Sequence, residues 1–282
     1  MIIALTGATG FIGTFLCSDL ESAGATVRPI PRTAGPTRTA LLEGTSAVIH
    51  LAGEPIDQRW TSEAKHRIRS SRVDGTQALI EDLSLTTPRP SVFVCASAVG
   101  YYGSRGDETL TEASQPGTGF LPESCAAWEK SADLASSLGL RVVKLRTGMV
   151  VGPKGGALQK MLPPFRLGLG GPIAGGRQWM SWIHIADVAG LYRFALESPS
   201  LSGPLNAVSP QPVRNRDFTT ALARAIHRPA IIPVPAFALR LLYGEMSEVV
   251  LGSQRVVPQA AQQAGFQFRY PDLNDALRDV LS

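Results

Sequence analysis

Apolar residues enter this chain mainly in short runs that close on glycine or another small residue. Ile2 to Leu5, Val48 to Leu51, Val92 to Cys95 and Leu140 to Leu145 are the clearest, and Gly24 to Ile30 reads as a turn and a further short strand. Runs apolar on both faces predict strands buried on both sides of a sheet. Between them the spacing is helical. Thr14 to Leu20 opens one helix, and Trp60 to Leu83 is a second, with Ile68, Val73, Leu79, Ile80 and Leu83 on its buried face. Ser124 to Leu138 is a third, stopped by Gly139. This alternation predicts an α/β protein with a Rossmann-type, doubly wound parallel sheet.

Beyond Gly152 the pattern changes. Seven glycines and three prolines crowd residues 155 to 176, as expected of a loop that covers a ligand. Trp179 to Ile183 predicts one short strand, Ile185 to Glu197 a helix opened by His184 and Asp187, and Pro204 to Val208 another strand. The expected organisation is a dinucleotide-binding domain over 1–157, to which 179–208 returns, and a smaller substrate or lid region made of 158–178 and 209–282.

The most informative stretch joins the first strand to the first helix: Thr6-Gly7-Ala8-Thr9-Gly10-Phe11-Ile12-Gly13. Gly7 permits a tight turn, Gly10 admits a pyrophosphate to the backbone, and Gly13 lets helix and strand pack closely. Free N–H groups at the helix start favour a diphosphate. Thr9, Phe11 and Ile12 complete this cofactor-binding turn. A second wall is expected from Leu51, Ala52 and Gly53, where small residues end a strand.

No acid lies between Gly24 and Leu42, where an Asp or Glu would bind a free ribose 2′-hydroxyl. Arg28 and Arg32 lie there instead, and a guanidinium suits a 2′-phosphate. The expected cofactor is therefore NADP, read by Pro31 and Arg32, with both arginines as solvated loop charges the alternative.

Composition narrows the function. Apolar content of 44% and charged content of 18% describe a globular protein, and the net charge of +4 is spread without a basic block, so no nucleic-acid partner is expected. No apolar run is long enough to span a membrane. Cys17, Cys95 and Cys125 share no metal-ligand spacing, so no metal is expected, and a reducing cytoplasm is the default. Ile2 to Leu5 runs into the glycine turn without the charged start of a signal peptide. A small-molecule substrate is the expected partner, and a homodimer is left open.

Together with His50-Leu51-Ala52-Gly53, Ser97 to Gly103 and Leu145 to Pro153, the glycine turn resembles the extended short-chain dehydrogenase/reductase superfamily. Residues Pro164 to Ile173 and Trp182 to Asp187 resemble its atypical "epimerase family protein" subgroup. The resemblance implies that Val150 and Arg72 contact the cofactor, Arg72 standing where the family has asparagine. It also implies a strand-end serine at Ser97, although Ala98 to Tyr102 has one residue more than in the epimerases. Trp182 and His184 are expected at the substrate.

The family's Tyr and Lys, four residues apart on one helix, serve as acid/base and its electrostatic support. Here those places fall on Leu121, which has no proton to transfer, and Cys125, which has no positive charge. Tyr101 and Tyr102, after the strand end, are the replacement candidates, with Glu123 and His184 behind them. His50 reads as a core histidine and Cys125 as a small buried residue. The leading function is an NADP-dependent oxidoreductase or epimerase-like enzyme. The alternative is a catalytically reduced NADP-binding redox sensor or partner-binding protein.

Overall fold

Each apolar run is a strand of one parallel sheet, and the helical stretches cross over it. The computed structural model describes residues 1–282. The chain begins β1 (Ile2–Thr6), α1 (Phe11–Ser22), β2 (Thr26–Ile30), α2 (Pro36–Leu42), β3 (Ala47–His50), α3 (Ser62–Ser84) and β4 (Val92–Ala98). Then come β5 (Thr109–Leu110), α4 (Phe120–Asp133), β6 (Arg141–Thr147), β7 (Met149–Val151) and α5 (Gly156–Arg166). The chain continues with β8 (Trp179–Met180), β9 (Trp182–His184), α6 (Ile185–Glu197), β10 (Gly203–Ala207), β11 (Val213–Arg214), α7 (Asn215–Ala225) and α8 (Ala236–Tyr243). It ends with α9 (Glu248–Leu251), β12 (Arg255–Val256), α10 (Gln259–Gln263) and α11 (Leu273–Leu281).

Six strands lie in the order β10-β6-β4-β3-β1-β2, every pair parallel. From β1 the chain moves outward to β2, then returns to place β3 on β1's other side. Ligands bind such sheets in the crevice at the carboxyl ends of the strands where the order reverses. Alternate residues feed opposite faces. Ile3, Leu5, Ile49 and Val94 pack against Leu16 and Leu20 of α1 and Val188 and Tyr192 of α6. Ala4, Val48 and Phe93 pack against Leu79 and Leu83 of α3 and Trp128 of α4.

Several elements differ from expectation. The third predicted helix starts four residues early, at Phe120, because Pro122 falls in its first turn, where no intrahelical N–H bond is lost. It ends at Asp133 in a tighter 3₁₀ segment, Leu134–Leu138, before Gly139 at φ +83°. The expected strand over Trp179 to Ile183 is two strands in different sheets. Ser181 separates them, its hydroxyl donating to Gln254 O (2.7 Å) and accepting from Val256 N (2.9 Å). Residues 156 to 166, expected as loop, form α5, because burial of Leu158 and Phe165 in a third cluster with Phe218 and Leu277 overrides weak propensity.

The C-terminal stretch does not stand apart as one region. β12 pairs with β5, and Ala261 of α10 with Phe266 and Phe268 packs on the core of the main sheet. Only α7 and α11 join α5, β7 and β9 in the separate cluster. No helix is long and apolar enough to cross a membrane, and no cluster of His, Cys, Asp or Glu is arranged to hold a metal ion.

Candidate active site

At the sheet's switch point the first loop is built for close backbone approach. Gly7 has φ +73°, and a Cβ there would lie 3.0 Å from both Ala52 N and Leu51 C. A Cβ on Gly13 would lie 2.1 Å from Gly7 O, so only glycine lets α1 start against β1. No side chain caps α1. The N–H groups of Phe11, Ile12 and Gly13 are therefore left for an anion. Phe11 lies under a glycine cover, for a Cβ on Gly155 would fall 2.2 Å from its ring. These residues fit the pyrophosphate of a dinucleotide.

His50 holds the two walls together. The Thr6 hydroxyl accepts from Leu51 N (3.1 Å) and Ala52 N (3.2 Å), so its own proton points to His50 Nδ1 at 2.6 Å. His50 Nε2 then donates to Thr76 Oγ1 (3.1 Å), which in turn donates to Arg72 O and accepts from Trp128 Nε1. Burial, aided by Arg38 and Arg72, pushes the imidazole down to about 4, so it is neutral. It is a core histidine, as expected.

The arginines divide by environment. Arg28 is spent on structure, donating to Leu41 O (2.8 Å) and Glu43 O (2.7 Å). Arg32 is 63% exposed and touches only Glu54, at 3.9 Å, so its guanidinium is available beside Pro31 at the end of β2. Arg38, to which no role was assigned from sequence, is buried against Asp82 and donates to Ala78 O and Arg32 O, fixing the backbone that carries Arg32. Arg72 reaches across to Gly53: its Nη1 donates to Glu54 O (2.9 Å) and Ile68 O (3.1 Å), and the guanidinium stacks on Trp128. Its position next to Gly53 suits contact with a cofactor, and its charge lies close enough to bear on Cys125.

At the other end of the crevice, β4, β6 and β10 bring Ser97, Arg146 and Asn206 into register. Arg146 grips Glu129 of α4 through both oxygens (2.8 and 2.9 Å), and Ser97 donates to the same carboxylate (2.7 Å). Burial opposes the charge on Arg146, but the bonds and charge of Glu129 outweigh it and raise its pKa. Arg146 also donates to the Tyr102 hydroxyl (3.0 Å), which donates to Asn206 Oδ1 (2.7 Å). Sequence reasoning gave Arg146 and Glu129 no role. Their only signal was an arginine at the end of a buried strand and a glutamate on a helix facing it.

This network corrects two catalytic expectations. Tyr102 is fully buried, its hydroxyl bonded on both sides and pushed up to about 12 by burial, so it is a core residue. Ser97 is buried and committed to Glu129. Tyr101 differs: its ring lies 3.5 Å from the Arg146 guanidinium, it is half-buried, and its hydroxyl bonds no protein group. Leu121 and Cys125 face Gly100, and burial pushes the Cys125 thiol up to about 12. That cysteine is a packed, protonated residue.

Three further expectations change. Trp182 is fully buried, its indole N–H donating to Gln211 O (2.9 Å), so it packs the third cluster rather than facing a substrate. His184 caps α6 by accepting from Ala186 N (3.2 Å), and its ring lies on Tyr270, 3.9 Å between centroids. Val150 points its side chain into the core, which leaves only its backbone for a cofactor.

The family model described as "NAD dependent epimerase/dehydratase family" matches residues 3–208, and one described as "Domain of unknown function (DUF1731)" matches 234–280. The chain is 38% identical over 303 residues to an epimerase family protein SDR39U1 homolog, chloroplastic, of Arabidopsis thaliana, covering 100% of this chain and 87% of the relative. It superposes on the human epimerase family protein SDR39U1 (isoform2) with NADPH at a TM-score of 0.92 and 33% identity, covering 100% and 99% of the two chains. A nucleoside-diphosphate sugar epimerase from Corynebacterium glutamicum gives a TM-score of 0.81 at 34% identity, over 100% of this chain and 58% of that one.

Proposed function

We propose, for a chain that belongs to the NAD dependent epimerase/dehydratase family, an NADP-dependent oxidoreductase or epimerase-like activity on a small molecule, with Tyr101 as its proton donor. The glycine turn from Gly7 to Gly13 holds the pyrophosphate, and the exposed Arg32, with no acid beside it on β2, takes the 2′-phosphate. The NADPH of the human relative supports that choice. Leu51, Ala52, Gly53 and Arg72 line the opposite wall. Three free thiols support a reducing compartment, and the cytoplasm is the one we propose.

One observation carries the catalytic reading: among the two strand-end tyrosines, only Tyr101 has a hydroxyl free of protein partners, on a ring fixed by the Arg146 guanidinium at 3.5 Å. A bound nicotinamide supplies or accepts the hydride. In the reducing direction the Tyr101 hydroxyl gives its proton to the substrate oxygen and regains one from solvent. Glu129 balances Arg146, so the stack under Tyr101 persists without an uncompensated charge. Phe11 packs against Gly152, Gly155 and Gly156 beside the start of α1.

The test is Tyr101→Phe, assayed by NADPH oxidation against nucleoside-diphosphate sugars and simple carbonyl compounds. The turnover rate is expected to fall by about 100-fold or more, as for loss of a general acid, with NADPH affinity unchanged. An unchanged rate would sink the assignment. Leu121 and Cys125, where the family's pair would stand, favour the alternative of a redox-sensing or partner-binding NADP protein. A wild-type protein that binds NADPH and turns over none of these compounds would support it.

A further inference from the structure

Three distant segments meet around the indole of Trp179. Its backbone pairs with Arg214 on β11. On the other side its backbone N–H donates to Ser253 Oγ (3.1 Å) rather than to a strand, and Gln254 N donates to its carbonyl (3.2 Å). Ser253 is tied in turn to Gly106 O (2.7 Å), and the indole N–H donates to Asp107 Oδ1 (2.8 Å). Two guanidiniums stack on this half-buried ring, that of Arg214 at 4.3 Å and that of Arg255 at 4.7 Å from its centroid.

The charges do not balance. Asp107 pairs with Arg214 (2.9 Å), which also donates to Arg177 O, so both are used. The half-buried Arg255 has no ion pair and no hydrogen-bond acceptor for its guanidinium. Like charges held on one ring repel, and stacking uses the faces of a guanidinium while leaving its N–H edge presented. An oxyanion on that edge would satisfy both the donors and the excess charge.

We propose that Arg255, stacked on Trp179 and flanked by Arg214, is the binding residue of an oxyanion site that takes a phosphate or carboxylate group of a small-molecule ligand. Gln254 beside it donates to Val99 O (2.9 Å), which joins the site to the turn after β4. The site stands independently of the role given to Tyr101.

The experiment uses the full chain saturated with NADPH, so that the dinucleotide site is filled. Inorganic phosphate and acetate are titrated in separate arms at constant ionic strength, with tryptophan fluorescence as readout. A saturable change is expected in at least one arm, and which arm responds assigns the ligand to phosphate or to carboxylate. Arg255→Gln should weaken that binding at least tenfold with NADPH affinity retained, while Arg240→Gln on exposed α8 should not alter it. Arg255→Lys should restore part of it, since an ammonium keeps the charge and loses the fork. If Arg255→Gln does not fold, Trp179→Phe, read by NMR shifts, replaces it and is expected to weaken binding. No saturable response in either arm, or equal binding by Arg255→Gln and wild type, would overturn the proposal.

Discussion

His50 and Arg32 show how differently two ionisable residues of one crevice act. Buried among Thr6, Thr76 and Phe93, His50 stays neutral down to about pH 4, whereas an unfolded imidazole takes up its proton near 6.5. Between those values the unfolded chain binds the extra proton, so stability falls as pH falls. The expected loss from pH 7 to pH 5 is about 2 kcal/mol, and His50→Gln should remove most of that slope in urea unfolding. An identical slope in the variant would refute the assignment. Arg32 contributes almost nothing to stability, since its single ion pair is long and exposed. Arg32→Glu is instead expected to weaken NADPH binding by tenfold or more and to leave NADH nearly unaffected. Equal losses for both would show that the 2′-phosphate is read elsewhere. The sequence favoured Arg32 over Arg28 through its position after the strand's end, but gave no account of what Arg28 does instead. The bonds of Arg28 to Leu41 and Glu43 supply that account.

Elements position what the residues do, and two of them can be tested. The start of α1 depends on glycine, because any Cβ at Gly13 meets the carbonyl of Gly7, which is backbone and cannot give way. Gly13→Ala should reduce NADPH affinity at least tenfold and lower the melting temperature; calorimetry showing wild-type affinity would contradict this. Arg146 and Glu129, both almost fully buried, pair β6 with α4 beside the Lys144–Asp133 ion pair and the packing of Val142 with Trp128 and Ala132. Glu129→Leu leaves the guanidinium uncompensated, and breaking a buried pair in this way costs about 3–5 kcal/mol. A loss under about 1 kcal/mol in urea unfolding would show that Arg146 does not depend on Glu129 for its burial. The glycine turn was legible because its spacing is local. The Arg146 network was not, since its members lie on separate strands and helices and meet only when the sheet forms.

Across the whole molecule, while the resemblance to the short-chain dehydrogenase/reductases is what implies that Leu121 and Cys125 stand where the usual Tyr and Lys would be, the run lengths and glycine stops along the chain determined the strand–helix alternation and the dinucleotide turn. Those are properties of neighbours in sequence, set by period, backbone freedom and residue chemistry. What needed the tertiary structure was the allocation of side chains that local pattern leaves ambiguous. Trp182, His184, Tyr102 and Ser97 each look like site residues at a strand end, yet each is drawn into a core or a buried bond. The region after Val208 is shared among four clusters, and β12 finds β5 across the molecule, a pairing of two residues with no periodicity to announce it. Long-range packing decides which polar groups are consumed in holding the fold. Among the groups it leaves unbonded or nearly so are the Tyr101 hydroxyl, the Arg32 guanidinium and the edge of Arg255, to which the proposed chemistry and binding are given.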